Sequence, residues 1–117
     1  MACTAALASM ELLLNSETQR NIQRISEQHF NFSNVLKEHP KVENVRQTGT
    51  ILAWEIKNNY QTSYFNEIGK KLYDEFLLQG IVMRPLGNVM YLVPPYCISI
   101  DELDFVFNVI IQILKGI

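Results

Sequence analysis

Residues 81–96 read Ile-Val-Met-Arg-Pro-Leu-Gly-Asn-Val-Met-Tyr-Leu-Val-Pro-Pro-Tyr, which is two short apolar runs joined by a turn. Proline fixes φ, while glycine and asparagine tolerate positive φ, so the Pro-Leu-Gly-Asn section has the chemistry of a turn. The pattern predicts a β-hairpin or tight β-arch with arms at Ile81–Arg84 and Val89–Val93. The second arm has to end at Pro94, because a proline cannot donate a hydrogen bond to a sheet.

Arg84 is the candidate binding residue of this segment, because it carries the only charge in the stretch. Together with Tyr91 it falls near one end of the predicted hairpin, and loops at strand ends commonly carry function. We expect Arg84 to hold an anion. Two ordinary alternatives stay open: Arg84 as a surface residue paired with a nearby acid, and Tyr91 as a packing residue with its hydroxyl in water.

The same stretch resembles the C-terminal signature of the diaminopelargonic acid synthases, a family of class III pyridoxal-phosphate aminotransferases of biotin synthesis. The similarity is carried by Arg-Pro-Leu-Gly-Asn at 84–88 followed by Tyr-Leu-Val-Pro-Pro-Tyr at 91–96. It extends along the chain in the order of the family. Ala2–Ser9 is similar to a helix that follows an Asn-Pro in these enzymes, and Val45–Ala53 is similar to the first hairpin of their small domain.

The resemblance implies roles for two residues and a cofactor. It makes Arg84 the residue that grips the carboxylate of a keto acid substrate, a task that suits the two parallel donors of a guanidinium. It places Tyr91 near that substrate. The implied cofactor is pyridoxal phosphate, but the cofactor lysine of the family and its other cofactor contacts precede the matched segments. We therefore expect no catalytic, cofactor-binding or metal-binding residue in this chain, and no transaminase activity from the chain alone.

The sequence predicts four helices: Ala2–Leu14, a second from Ser16 to just before His39, a third from Tyr64 to a glycine cap at Gly80, and a fourth from Ser99 to Lys115 and Gly116. Ser16-x-x-Gln19 and Ser99-x-x-Glu102 both have the pattern of a capping box. Apolar residues lie on one stripe of each of the last two helices: Phe65, Ile68, Leu72 and Phe76, then Leu103, Val106, Phe107, Ile110, Ile111 and Leu114.

Two further strands are predicted at Val42–Gln47 and Thr50–Lys57, paired around Thr48-Gly49. Leu52, Trp54 and Ile56 alternate in the second of them, so they share one face. A polar loop is expected at Asn58–Ser63. The predicted fold class is α+β, a small and mostly antiparallel sheet covered by helices, which the resemblance identifies with the C-terminal small domain of a fold-type I aminotransferase.

The first helix is apolar on nearly every side, which is typical of a helix that is buried against a larger body. We therefore expect residues 1–15 to form a linking helix packed on a large domain, and residues 16–117 to form the small domain. The whole enzyme is expected to be a homodimer, and this chain alone is expected to self-associate. Two alternatives stay open: the small domain of another class III ω-aminotransferase, and a free-standing α+β module that binds a partner or an acidic metabolite.

Composition argues against several other classes of protein. A net charge of -2, with ten basic residues among twelve acidic ones, does not suit a nucleic-acid binder. No apolar run reaches the roughly 20 residues of a membrane span. The apolar start carries Glu11 and has no basic residue ahead of it, unlike a signal peptide. We expect a cytoplasmic protein in which Cys3 and Cys97 are reduced.

Ordinary roles are assigned to the remaining reactive and aromatic side chains. His29 and His39 have no ligand-forming neighbours at metal spacing, so both are predicted to be surface helix residues. The two cysteines lack a Cys-His-acid arrangement and are not expected to be nucleophiles. Phe30 and Phe32 are predicted to pack along the second helix.

Overall fold

The computed structural model describes residues 1–57 and 67–117 of the chain. The elements in chain order are α1 (Ala2–Leu14), α2 (Ser16–Glu38), β1 (Val42–Thr48), β2 (Ile51–Ile56), α3 (Ile68–Leu78), β3 (Val89–Leu92) and α4 (Ile100–Gly116). The strands form an antiparallel sheet in the order β1-β2-β3. The predicted α+β class is therefore confirmed. The predicted loop Asn58–Ser63 and the residues Tyr64 and Phe65 lie outside the described residues.

One face of the sheet forms the core together with α2, α3 and α4. Leu52, Trp54 and Ile56 alternate along β2 and are almost fully buried, as predicted. On β3, Met90 lies opposite Trp54 and Leu92 lies opposite Leu52, so both add to the same face. Burying large apolar side chains of this kind contributes roughly 1.5 to 3 kcal/mol each to folding.

A β-bulge in β1 sets which side chains lie on the outer face of the sheet. Glu43 pairs with Glu55 and Arg46 pairs with Ala53, so two residues of β1 stand opposite Trp54 of β2. The first of the two, Asn44, has a φ of 51°, a left-handed conformation that asparagine tolerates better than most residues. The extra residue reverses the alternation of the strand, because side chains alternate with a period of two.

Both ends of α4 agree with the prediction, and so does its capping box. Ser99 accepts a hydrogen bond from the Glu102 backbone amide at 3.1 Å, and the Glu102 carboxylate accepts one from Ser99 at 2.9 Å. Within the predicted apolar face, Val106 and Ile111 are only half-buried. The prediction omitted Val109 and Ile113, which are buried, so the core-facing stripe is wider than the sequence pattern indicated.

The capping box predicted at Ser16 is wrong by one residue. The N-cap of α2 is Asn15, whose side chain accepts a hydrogen bond from the Glu17 backbone amide at 2.8 Å. Asparagine ranks with serine as an N-cap, so the two adjacent candidates could not be separated from the sequence alone. The cap predicted at Gly80 is confirmed: Gly80 has a φ of 79°, and the amides of Gly80 and Ile81 donate to the carbonyls of Leu77 and Phe76 in a Schellman motif.

The prediction of a hairpin at 81–93 is only partly right. Val89–Leu92 is a strand, but residues 81–85 form no strand, and a single bridge joins Leu86 to Val89. β3 pairs instead with β2. Two apolar residues of the first arm pack on the core instead: Met83 is buried at 4% exposure and Ile81 is partly buried, whereas Val82 is exposed.

Three side chains of α2 and its end depart from their predicted roles. His29 is fully buried, not on the surface, because it follows Ile25 by four residues and precedes Phe32 by three on the core-facing stripe. Phe30 lies off that stripe and is exposed, whereas Phe32 packs as predicted. His39 is half-buried just beyond the helix, where its Nδ1 accepts a hydrogen bond from the Lys41 amide at 3.2 Å.

Candidate substrate-binding segment

Arg84 lies in the irregular segment that connects α3 to β3, and its side chain is exposed. Its neighbour Met83 is anchored in the core, which fixes the backbone on that side. Within residues 1–57 and 67–117, no hydrogen bond or ion pair engages the Arg84 guanidinium. Two other arginines are already occupied: Arg24 donates to the Gln28 side chain and the Ile98 carbonyl, and Arg46 donates to Glu55. As far as the described part of the chain is concerned, the Arg84 donors are therefore available.

A tight turn fixes the backbone immediately after Arg84. Leu86 and Val89 exchange backbone hydrogen bonds of 2.9 and 3.0 Å, so the turn has two central residues, Gly87 and Asn88. Gly87 has a φ of 64°, and Asn88 is not among the residues with positive φ. That combination is the signature of a type II′ turn with glycine at its first central position. The positive φ predicted for this turn is confirmed at Gly87, but the turn runs from Leu86 to Val89, one residue later than the predicted Pro85–Asn88.

Asn88 ties this turn to the end of β2. It is buried at 1% exposure, and its side-chain amide donates to the Ile56 carbonyl at 3.2 Å. The Ile56 amide donates in turn to the Asn88 carbonyl at 2.9 Å. A buried hydrogen bond of this kind is costly to disturb, because the groups it joins have no water to replace the lost partner. The segment that carries Arg84 is therefore attached to the sheet, although it is not itself a strand.

Tyr91 lies on β3 opposite Ala53, with its side chain on the outer face of the sheet. Its neighbours Met90 and Leu92 point into the core, while Tyr91 is half-buried. Among the described residues, no hydrogen bond or ring contact joins Tyr91 to Arg84. The structure therefore places the two predicted site residues on different elements that are linked by the tight turn, with Tyr91 on a strand and Arg84 before the turn.

A charged group that the sequence analysis did not single out occupies the outer face near Tyr91. The Arg46 and Glu55 side chains form an ion pair at 3.2 Å, and Asn44 donates to the same carboxylate at 3.0 Å. The bulge makes this pairing possible by turning Arg46 to the outer face. No simple sequence pattern predicts a bulge, so this group could not have been found from spacing alone.

The described residues offer little for other chemistry. They contain no group of three or more metal-ligating side chains, and none of their helices is long and apolar enough to cross a membrane. A groove of about 530 Å³ lies between the end of α3 and the start of α4, with Ile81, Cys97 and Phe105 among its lining residues. Neither Arg84 nor Tyr91 lines it, so it is separate from the predicted site.

The lysines do not suit the attachment of pyridoxal phosphate. That chemistry needs a lysine amine held in a desolvated pocket. Every lysine of the chain is described, and none is buried: Lys37, Lys41, Lys57, Lys70, Lys71 and Lys115. Lys41 is engaged with the carbonyls of Lys115 and Ile117 at the end of α4. The residues of this chain therefore do not fit the cofactor as its attachment site.

Proteins of related sequence are known for the whole length of this chain. The adenosylmethionine-8-amino-7-oxononanoate aminotransferase of Synechococcus elongatus is 38% identical over 117 residues, which is 100% of this chain and 27% of that protein. The enzyme of the same name from Methanocaldococcus jannaschii is 30% identical over 119 residues, covering 98% of this chain and 26% of that protein. The chain thus spans about a quarter of the length of these relatives.

Solved structures agree with this relationship. The crystal structure of the Methanocaldococcus jannaschii enzyme superposes with a TM-score of 0.85 over 97% of this chain and 27% of that chain, at 30% identity. The omega-transferase of Vibrio fluvialis gives 0.83 over 97% and 28%, at 21% identity, and so supports the fold alone. The sequence profile of the family described as aminotransferase class-III matches residues 1–114. The chain belongs to the class-III aminotransferase family.

Proposed function

We propose that this chain is the C-terminal small domain of an adenosylmethionine-8-amino-7-oxononanoate aminotransferase and that Arg84 binds the carboxylate of the keto acid substrate. The observation that carries the proposal is the state of Arg84, which is exposed and unpaired within the described residues, beside a turn that is hydrogen-bonded to the end of β2. The names of the relatives support the choice of reaction, which moves an amino group from adenosylmethionine to 8-amino-7-oxononanoate.

The chemistry of a guanidinium suits this role. It is planar and always charged, and it can donate two parallel hydrogen bonds to one carboxylate. Because Arg84 lies beside a rigid turn, its guanidinium can orient the carboxylate end of the substrate without a change in the protein backbone. Tyr91 is proposed to lie near the same substrate, because its half-buried ring on the outer sheet face leaves part of it available for contact.

Pyridoxal phosphate would carry the amino group between donor and acceptor in the whole enzyme. Since no lysine of this chain is buried, the cofactor is proposed to be held by the rest of the enzyme. The residues of this chain then act by binding and orienting the keto acid. The whole enzyme is proposed to be cytoplasmic, in keeping with the free Cys3 and Cys97. It is also proposed to be a homodimer.

Residues 1–15 are proposed to link this domain to the large domain of the enzyme. Helix α1 contains no buried residue, yet most of its large side chains are apolar and exposed: Leu7, Met10, Leu12, Leu13 and Leu14. Exposed apolar patches of this kind usually mark a contact surface. A large domain packed on α1 would cover them.

The main alternative is the small domain of another class-III ω-aminotransferase. The fold leaves this alternative open, because the Vibrio fluvialis omega-transferase superposes with a TM-score of 0.83. A free-standing binding module is less well supported, because the family relatives match this chain over only about a quarter of their own length.

The test uses the full-length enzyme that contains this domain and measures its two half-reactions separately. Replacing Arg84→Ala should lower kcat/KM for the keto acid by roughly tenfold to over a hundredfold. The half-reaction with adenosylmethionine should change far less, because that donor does not use Arg84. Equal losses in both half-reactions, or no loss in either while the fold is intact, would overturn the proposal.

A further inference from the structure

Helix α3 and the turn that follows Arg84 approach each other more closely than a side chain would permit. Gly69 is the second residue of α3, and it is buried. A Cβ atom built on Gly69 would stand 2.6 Å from the carbonyl oxygen of Gly87, whereas real Cβ atoms essentially never come within 3.0 Å of another atom in this way. The obstacle is backbone, so a side-chain rotation cannot relieve it.

The Gly87 carbonyl has little freedom to move away. It belongs to the turn closed by the reciprocal hydrogen bonds of Leu86 and Val89. The next residue, Asn88, is buried and bonded to Ile56 through both its backbone and its side chain. Helix α3 therefore packs against the turn on one side, and β2 is hydrogen-bonded to it on the other.

We propose that Gly69 is a positioning residue for Arg84: its missing side chain lets the Gly87 turn seat against α3 and so sets the place from which Arg84 reaches the substrate carboxylate. The inference rests on the proposed function of Arg84. An added methyl group would displace the turn by at least about 0.4 Å, the difference between 2.6 and 3.0 Å. Restoring an ordinary contact of 3.4 Å would need a displacement of about 0.8 Å. Binding groups need to be held within roughly 0.5 Å of their productive position, so a displacement of that size exceeds the tolerance.

Gly116 provides a matched control. It is also a helical glycine, but a Cβ built there meets no atom within 4 Å. In an unobstructed helix, alanine is favoured over glycine. Gly116→Ala should therefore be harmless, and any specific effect of Gly69→Ala must come from the contact with Gly87.

The experiment is a double-mutant cycle in the full-length enzyme that contains this domain. Gly69→Ala should raise KM for the keto acid about three- to tenfold, with kcat and the adenosylmethionine half-reaction changed less than about twofold. Gly116→Ala should change neither. In an Arg84→Ala background, adding Gly69→Ala should have no further effect on KM, because residues that act through one contact are not additive.

Several outcomes would overturn the inference. One is an unchanged KM in Gly69→Ala, and another is equal damage to both half-reactions. A third is a full additional effect in the Arg84→Ala background, since Gly69 would then act independently of Arg84. If Arg84→Ala by itself leaves the keto acid reaction intact, the proposed function has failed and the role of Gly69 falls with it. The single variants distinguish these cases.

A second variant keeps the test decisive if Gly69→Ala does not fold. Asn88→Ala loosens the same turn from the β2 side without adding an atom. Its KM for the keto acid should rise as well, and hydrogen exchange at the Leu86 and Val89 amides should accelerate while the α4 amides stay protected. An Asn88→Ala enzyme with a faster-exchanging turn and an unchanged KM would contradict the inference.

Discussion

The His29 ring lies 5.9 Å from the Phe107 ring, tilted by 59°, and no solvent reaches it. Phe107 in turn stacks on Phe32 with a centroid distance of 4.2 Å. Within the described residues, neither nitrogen of His29 has a hydrogen-bond partner. Burial without a partner disfavours the charged form, and it lowers the pKa of His29 from 6.5 to about 4.

This environment makes the stability of the domain depend on pH. The pKa of His29 is lower in the folded chain than in the unfolded one, so the unfolded chain binds more protons between pH 6.5 and about 4. The contribution of His29 to the free energy of unfolding is thus fully present above pH 6.5 and is lost as the pH falls toward 4. From pH 7 to pH 5 the expected loss from His29 is about 2 kcal/mol.

Urea unfolding at a series of pH values measures this loss. His29→Leu should flatten the curve in this range and His39→Gln should not; identical slopes for His29→Leu and the parent would contradict the assignment.

Helix α1 should cause the isolated chain to self-associate. Its exposed leucines and Met10 form a larger apolar surface than monomeric proteins usually present. Sedimentation over a range of concentrations should show a rising average mass, and the double change Met10→Glu, Leu14→Glu should suppress it. Leu78→Glu, which alters an exposed leucine of α3, is the control and should not. A chain that stays monomeric at high concentration, with α1 amides as protected as those of α4, would argue against the proposed contact surface.

Lysine should replace Arg84 only in part. An ammonium keeps the charge but cannot reproduce the two parallel donors of the guanidinium. Removing the pair altogether should cost about 1.5 to 3 kcal/mol, or roughly tenfold to over a hundredfold in kcat/KM for the keto acid. Steady-state kinetics of the full-length enzyme should therefore place Arg84→Lys between the parent and Arg84→Ala. Full activity in Arg84→Lys would show that charge alone suffices.

The isolated chain should neither bind pyridoxal phosphate covalently nor catalyse transamination. None of its lysines is buried, and a Schiff base needs a desolvated, oriented amine. Incubation with the cofactor followed by borohydride reduction and mass spectrometry should show no stoichiometric label. Labelling of one lysine in every molecule, together with a visible absorbance band, would refute the expectation.

The N-cap of α2 can be tested by two adjacent substitutions. Asn15→Ala removes the acceptor of the 2.8 Å hydrogen bond from Glu17 and should lower the free energy of unfolding by about 1 kcal/mol. Ser16→Ala should have little effect, because Ser16 is the first helical residue rather than the cap. Urea unfolding measures the free energy of unfolding of both variants. A larger loss in Ser16→Ala than in Asn15→Ala would support the capping box predicted at Ser16 instead.

Elements with strong local patterns could be predicted from the sequence, and those that depend on distant partners could not. The capping box of Ser99 and the alternation of Leu52, Trp54 and Ile56 are local, and both were predicted correctly. The arm at 81–84 has strand-forming residues, but within the described residues its expected ladder with β3 is reduced to the single Leu86–Val89 bridge. A strand exists only through pairing, which composition does not reveal.

In the candidate site too, local features could be predicted from the sequence and contacts between distant residues could not. Arg84 could be singled out as the only charge in an apolar stretch. The residues that hold its segment, Gly69 and Asn88, could not, because their contacts join parts of the chain that are far apart in sequence. His29 was missed for a different reason: its position on the apolar stripe was visible, but histidine is more often exposed than fully buried.

During synthesis on the ribosome, the part of the core that α4 supplies is made after the other described elements. Helix α4 is the last of the described elements to be made, yet it supplies Ile110 and Leu114 to the cluster around Trp54 and Phe76. While the nascent chain lacks α4, those aromatic rings lack the part of their apolar surroundings that α4 supplies, and exposed apolar surface of this kind is open to chaperones or to neighbouring chains. A chain that stops before Ile100 would therefore lack the Ile110 and Leu114 side chains that help to enclose Trp54.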